Sequence, residues 1–442
     1  MKRARMIFFA LVMAVFTANL CAAAEAPPAA EDFIRKGELL TLPRCIGIAV
    51  KRQPNIIAYQ SAVSATQSRV GQAQANYYPQ VALSGGYSRI SPVGGRSTGT
   101  TTVSGTGGAY NWYSSSASVT QNIYDFGKTS TQVAIQKLNV DASRSDLENI
   151  TEQIVFNVKQ AYYGVLQAQK NRAVAEEAVK QFQQHLDQAK GFYEVGTKSR
   201  FDVTKAEVDL SNARLNLIRA DNTLKVAAVN LNNAMGLPGA PEYTIEDNLT
   251  FKKYETTLEA ALSTAFKNRP DLQAITLRRK ASEEAVSLAK TGYYPSLTGN
   301  AAYNWGAENF PLDHGWNAGA ALTVPLFSGF LTKQQVSEAR ANLNAAKANE
   351  DLVKQTIVLD VQQAYLNLKE AESRIPTAEI TVKQATENLD IANGRYVAGV
   401  GSPIEVTDAQ VVSINAKTTY IQALSDYKVA QASLEKAMGA RQ

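Results

Sequence analysis

Glu405 and Asp408 stand three residues apart, on one face of any helix that holds both. Paired carboxylates attract cations, and crowding several together raises the pKa of some of them. Glu405 also closes a local pattern, Ser402-Pro-Ile-Glu405, that has a counterpart in Ser199-Arg-Phe-Asp202. Ser-x-x-acid starts a helix: the Ser caps orphan N–H groups, and the acid reaches back or complements the positive helix end. Pro403 suits the first helical position, where its missing N–H costs nothing. Gly196 and Gly399 suit the ends of the preceding helices. Capping is therefore the first role expected of Asp202 and Glu405.

Little else in the chain offers chemistry. The two histidines, His185 and His314, are far apart and lack ligand spacing, so no metal and no cofactor are expected. His185 is expected on an exposed helix face and His314 in a short loop. Gly127-Lys128-Thr129 looks like the end of a phosphate loop, but Asn122 stands where its first Gly belongs. The stretch 94–108 lacks a strand–loop–helix frame for a nucleotide. No nucleophile is paired with a base, so no enzyme is expected. Tyr and Trp residues near strand ends read as interfacial anchors rather than a ligand cage.

The elements that must position these residues begin after a secretory signal peptide, residues 1–24. Lys2, Arg3 and Arg5 precede the apolar run Met6–Phe16 and the small residues Ala22–Ala24. Leu20 before Cys21 argues against a lipid anchor. The full chain has 45 basic and 40 acidic residues. Removing the three leader bases leaves a nearly balanced chain, which does not fit a nucleic-acid partner. Only Cys45 survives cleavage, so no internal disulfide is expected. No later apolar run reaches the roughly 18 residues of a spanning helix. A membrane crossing must then be a barrel.

The chain is written twice. "NYYPQVALSGGY" (76–87) pairs with "GYYPSLTGNAAY" (292–303), and "RQPNIIA" (52–58) with "NRPDLQA" (268–274). Downstream, "FYEVGTKSRFDVTKAE" (192–207) pairs with "RYVAGVGSPIEVTDAQ" (395–410), and Asn233–Gly236 with Lys436–Gly439. The organisation read from this is a 25–40 extension, a first repeat at 41–240, a linker at 241–256 and a second repeat at 257–442. Each repeat holds a helix (45–76; 257–292), a strand pair and a long helical hairpin (129–235; 331–438). The pairs are 80–88 with 116–124, and 296–305 with 316–326. An insert over 89–113, dense in Gly, Ser and Thr, reads as a loop. Leu147, Ile150, Ile154, Val158, Ala161, Val165 and Ala168 step by three and four, a coiled-coil seam. A rod of that length spans about 100 Å. Pro376 is expected to kink or break the second rod.

All four strand cores alternate and lack charge. Leu297, Ala301, Tyr303 and Trp305 oppose Ser296, Thr298, Asn300 and Asn304; Trp316, Ala318, Ala320 and Leu322 oppose Asn317, Gly319 and Thr323. A soluble sheet would carry Lys or Glu on its wet face. This pattern is that of membrane strands, with lipid on the apolar side and a channel on the other. Four strands cannot close a barrel, and lipid forbids an open edge. Three copies give twelve strands and a wet lumen; two give eight and little lumen.

In these features the sequence resembles the TolC family of outer-membrane efflux proteins, over about residues 38–440. The duplication carries the resemblance. So do the junctions Tyr77-Tyr78-Pro79 and Tyr293-Tyr294-Pro295, "NIYDFG" (122–127) and "PLFSGF" (325–330) at strand exits, and the paired hairpin turns. The family implies a mainly α fold with a small β part. It also implies a homotrimer with a 12-stranded transmembrane barrel and a 12-helix tunnel. Its implied role is an exit duct of a tripartite efflux or type I secretion system, in the outer membrane of a Gram-negative bacterium. Its partners would be outer-membrane lipid, a periplasmic adaptor (membrane fusion) protein and an inner-membrane pump. By the same resemblance, Glu405 and Asp408 ring the periplasmic entrance, and Asp202 and Tyr396 join the closing contacts. Gly401 stands where that network has a basic residue, with Lys198 at the equivalent place in the first repeat. The turns Val195-Gly196-Thr197-Lys198 and Gly399-Val400-Gly401-Ser402 would receive the adaptor. The alternative is a trimeric, barrel-anchored structural or adhesive surface protein.

Overall fold

The computed structural model describes residues 34–91 and 109–440. The signal-peptide segment and the centre of the insert lie outside them. Helix dominates. α1 (Leu42–Arg52) and α2 (Pro54–Gln74) lead into strands β2 (Gln80–Ile90) and β3 (Tyr110–Tyr124). Before them β1 (Leu39–Leu40) pairs in parallel with β4 (Thr244–Ile245). α3 (Lys128–Glu194) and α4 (Arg200–Ala234) complete the first hairpin. The second half repeats the plan: α5 (Leu258–Asn268), α6 (Pro270–Lys290), β5 (Ser296–Ala307), β6 (Asp313–Thr323), α7 (Leu331–Val397) and α8 (Pro403–Ala437).

The moderate-length helices expected at 45–76 and 257–292 are each two helices. Gln53 and Arg269 take ψ near 120° because each precedes a proline, which disfavours the helical region. Pro54 and Pro270 then open the next helices at their first position. The repeated Met-Gly ends of the hairpins pack into these breaks. A Cβ at Gly236 would lie 3.1 Å from the Arg52 carbonyl oxygen, and one at Gly439 would lie 2.9 Å from the Arg269 nitrogen. This close approach explains the Gly in both copies.

α3 and α7 are unbroken over 67 residues each, about 100 Å at 1.5 Å per residue. The break expected at Pro376 does not occur, and helix continues on both sides. Ile375 and Ala378 are buried in the central core, so packing holds the turns around the lost hydrogen bond. That core joins Ile154, Val158 and Leu166 of α3 to Ile357, Val361 and Leu368 of α7 and Leu434 of α8. Tyr162 and Tyr427 donate to the carbonyls of Glu246 and Lys252, each at 2.7 Å, tying the segment between the repeats to the rods. Cys45 is fully buried and unpaired, and burial pushes its thiol up to about 12. In the lower half the helices run in the order α4, α3, α8, α7.

The four long strands form one antiparallel sheet, β2-β3-β5-β6. Its register superposes the four alternations. Val81 pairs with Val119, Val119 with Ala301 and Ala301 with Ala318; Ala117 pairs with Tyr303 and Tyr303 with Trp316. Residues directly opposite share a face, so these rows make one face largely apolar along its middle. The other carries Ser84, Ser116 and Asn304, with Ser116 donating to Asn304 at 2.8 Å and Asn304 to Asn317 at 3.0 Å. The strands outrun their expected bounds at the loop ends: 89–90 and 110–113, expected as loop, are paired strand. β6 occupies 313–323 rather than 316–326, because Pro325 cannot continue a ladder.

Candidate functional site

The hairpin tips take their shape from glycine. Gly196 (φ 73°) and Gly399 (φ 78°) adopt the left-handed conformation that ends α3 and α7. Thr197 N–H then bonds the Phe192 carbonyl at 3.0 Å, and Val400 N–H bonds that of Arg395 at 3.1 Å. Gly401 is fixed by space rather than by φ. A Cβ there would lie 2.8 Å from Tyr396 N and 2.9 Å from the Arg395 carbonyl carbon.

The two acids of the Ser-x-x-acid turns diverge. Asp202 forms a capping box, receiving the Ser199 N–H at 3.4 Å. Ser402 caps α8 by accepting from Ile404 N–H at 3.2 Å, but Glu405 turns away to Arg395 Nε at 3.3 Å. A cation within reach of a half-exposed carboxylate outcompetes a neutral N–H. Asp408 is exposed on the same face as Glu405. Val195, Gly196, Thr197, Gly399 and Val400 are exposed, and Lys198 and Ser402 are partly covered.

Tyr396 is fully buried at the centre of the tip, against Leu389, Ala392, Val406 and Ala409. Three residues of the first hairpin surround its ring: Phe192 edge-on at 5.6 Å, His185 at 5.0 Å and the Lys198 ammonium at 5.4 Å. Lys198 also donates to the Gly401 carbonyl at 3.5 Å. Burial, then the Asp202 charge, raises the Tyr396 pKa, and its hydroxyl has no hydrogen-bond partner among the described residues. The structure thus brings Tyr396, Lys198, Asp202 and Gly401 together, and leaves Glu405 and Asp408 on an open face.

His185, expected to be exposed, is 3% exposed, with Nδ1 unpartnered. Burial lowers its pKa; Asp209 and Asp202 oppose this and Lys205 adds to it. Beside it, Asp209 accepts both contacts of Lys205 at 2.6 Å and the Thr407 hydroxyl at 3.1 Å across the hairpins. Sequence reasoning missed this buried polar contact. Lys205 and Asp209 are four apart, which signals an ion pair but not its burial. His314 is not in a loop: it lies in β6, stacked on Tyr303 at 5.9 Å. Among the described residues no His, Cys, Asp or Glu cluster suits a metal ion, and no helix is long and apolar enough to cross a membrane.

At the other end of the rods, Tyr77-Tyr78-Pro79 and Tyr293-Tyr294-Pro295 turn helix into strand. A 3-10 turn closes each helix, and the residue before proline becomes extended (Tyr78 ψ 152°, Tyr294 ψ 155°). All four tyrosines are exposed. On the return path Phe126 (φ 52°) and Phe330 (φ 66°) adopt left-handed conformations that redirect strand into helix. Phe126 packs on Tyr124 at 4.6 Å and on Tyr294 at 6.1 Å, linking the repeats through an aromatic belt.

This geometry has known counterparts. The model of the family described as outer membrane efflux protein matches residues 45–237 and 261–440. Outer membrane protein TolC of Escherichia coli (strain K12) is 24% identical over 348 residues, covering 74% of this chain and 69% of that one. Outer membrane efflux protein BepC of Brucella suis biovar 1 is 23% identical over 411 residues, 90% and 85% of the two chains. Among solved structures, CusC superposes with a TM-score of 0.80 at 16% identity, covering 95% of this chain and all of that one. The outer membrane protein VceC of Vibrio cholerae gives 0.76 at 18% identity, covering 90% and 96%. Identities of this size for the solved structures show a shared fold.

Proposed function

The chain belongs to the outer membrane efflux protein family, and from that premise we propose that three copies close into one duct, a barrel in the outer membrane continued by a helical tunnel. The observation that carries the reading is a pair of open edges on each side of the protomer. In the sheet they are β2 and β6, whose ladders end unpaired in the protomer. In the lower helical layer they are α4 and α7. α4 exposes Phe201, Val208, Leu215 and Val229, and α7 exposes Leu366 and Ile380, on steps of seven or fourteen. Such heptad stripes are coiled-coil seams without a partner. The two stripes differ, so copies join head to tail, and a head-to-tail contact that closes makes a ring.

Solutes pass along the polar sheet face and the tunnel, driven from outside this chain. A periplasmic adaptor docks on the exposed turns at 195–198 and 399–402, and an inner-membrane pump supplies the energy. Glu405 and Asp408 from three copies ring the entrance, while the Tyr396–Lys198–Asp202 packing holds the hairpins closed. The role is conduction.

Leu215 and Ile380 both lie roughly 25 Å above the tip, at 1.5 Å per residue. Oxidised Leu215→Cys/Ile380→Cys protein should therefore run as a covalent trimer on denaturing gels, and each single variant should not. A monomer-sized product from the double variant would refute ring closure through these edges. For docking, crosslinkers at Lys198 and Ser402 should capture a periplasmic adaptor in cells, whereas capture only at sites midway up the rods would place the adaptor elsewhere.

A further inference from the structure

At the end of the strands away from the helices, the polar sheet face changes character. Register aligns Gly86, Ser114, Gly306 and Asp313 in one row across the four strands. The next row outward sets Trp112 opposite Ser88. Trp305 and Trp316 lie on the apolar face, as a girdle at the membrane surface requires. Trp112 lies on the opposite face, so lipid anchoring does not account for it.

The indole rests over Gly306, where a Cβ would come within 3.0 Å of Cζ2. A Cβ at Gly86 would come within 3.1 Å of the Ser114 hydroxyl. The indole and the Ser114 hydroxyl thus take the space that side chains at Gly306 and Gly86 would need, and the two glycines let Trp112 and Ser114 lie close against the sheet. Asp313 closes the other side, the one charged side chain on this face among the described strand residues. β3 and β6 are two strand spacings apart, about 10 Å. The hollow between them has a volume of about 600 Å³, lined by Trp112, Ser114, Asn304, Gly306 and Asp313.

We propose that this recess binds organic cations with a flat or apolar body. The indole face receives the cation or its attached ring, an attraction that grows as water is excluded. The Asp313 carboxylate supplies the opposite charge, and the missing side chain at Gly306 lets the indole lie low against the sheet beside the hollow. The inference rests on the reading of this face as the lumen, where three copies set three such recesses around the outer mouth. A permeating cation would pause there before release, and the rows of Ser and Asn below would not hold it.

The test is binding of benzyltrimethylammonium to the detergent-solubilised full-length oligomer, by isothermal titration, with benzyl alcohol as the neutral counterpart. One site per chain is expected for the cation and none for the alcohol in the same concentration range. Trp112→Ala and Asp313→Asn should each weaken binding about tenfold. Trp112→Phe should retain most of it, and Trp316→Ala, on the lipid face, should not alter it. Equal affinity in the wild type and both recess variants, or equal binding of benzyl alcohol, overturns the site. Conductance of the same preparations in planar bilayers reports the duct separately. A conducting oligomer that binds no cation sinks the recess alone, and a binding but non-conducting one sinks the duct.

Discussion

The Lys198 ammonium of the first hairpin lies 5.4 Å from the centre of the Tyr396 ring in the second and 3.5 Å from the Gly401 carbonyl oxygen. One cation thus bridges the two hairpin tips at the point where the second repeat has glycine instead of a base. A contact of this kind is worth about 0.5–1 kcal/mol when partly solvated. Lys198→Ala should raise the open fraction of single channels by up to roughly fivefold, and Lys198→Arg should restore it. An unchanged open fraction in Lys198→Ala removes this residue from the closing contacts.

Tyr396 separates packing from hydrogen bonding. Its ring is fully buried, so Tyr396→Ala should cost about 3–5 kcal/mol through the cavity left behind. Its hydroxyl is buried without a hydrogen-bond partner among the described residues, so Tyr396→Phe should be neutral or stabilising. Thermal unfolding by circular dichroism distinguishes the two, and a large loss in Tyr396→Phe would show that the hydroxyl has a partner in the assembled ring.

The carboxylates proposed to ring the entrance, Glu405 and Asp408, should act on ions rather than on the fold. Glu405→Gln combined with Asp408→Ala should lower cation selectivity and divalent-cation block in planar bilayers. The change also frees Arg395, now 3.3 Å from Glu405, which adds to the loss of selectivity. Conductance and block indistinguishable from wild type would take both acids out of the entrance.

His185 makes the tip sensitive to acid. Burial lowers its pKa, with Asp209, Lys205 and Asp202 facing it from α4 and Tyr396 from α7. Above the unfolded value of about 6.5 both states are neutral, and pH has no effect through this group. As pH falls below about 6.5 the unfolded chain binds a proton first, so the packed tip loses stability until its own lower pKa is passed. The melting midpoint should fall between about pH 7 and about pH 5, and His185→Gln should flatten that fall. Parallel curves for the two proteins would show that other groups set the acid response.

Local periodicity made much of the architecture legible. Alternation in 297–305 and 316–322 and the three–four steps of 147–168 express backbone geometry, which each segment carries by itself. Boundaries were less legible where a neighbour decides them. Trp112 and Tyr110 read as loop because the segment is rich in Ser and Gly, and only pairing with Ser88 and Ile90 makes them strand. Pro376 read as a kink or break because a lone helix would yield there, whereas the helix continues through it with its flanking turns held by the core.

The sequence by itself determined the doubled plan, the uncharged strands, the long rods and the glycine turns, because each follows from which residues are near in the chain. Tertiary structure decided which side chains meet across it. His185 is buried against Tyr396 although 211 residues separate them. Lys198 of the first repeat reaches the Gly401 carbonyl of the second because two hairpins lie side by side. Trp112 and Asp313 line one hollow because β3, β5 and β6 fall in one register. Burial and partnership belong to the assembled fold, where desolvation and close contact act between segments that a linear reading cannot place together.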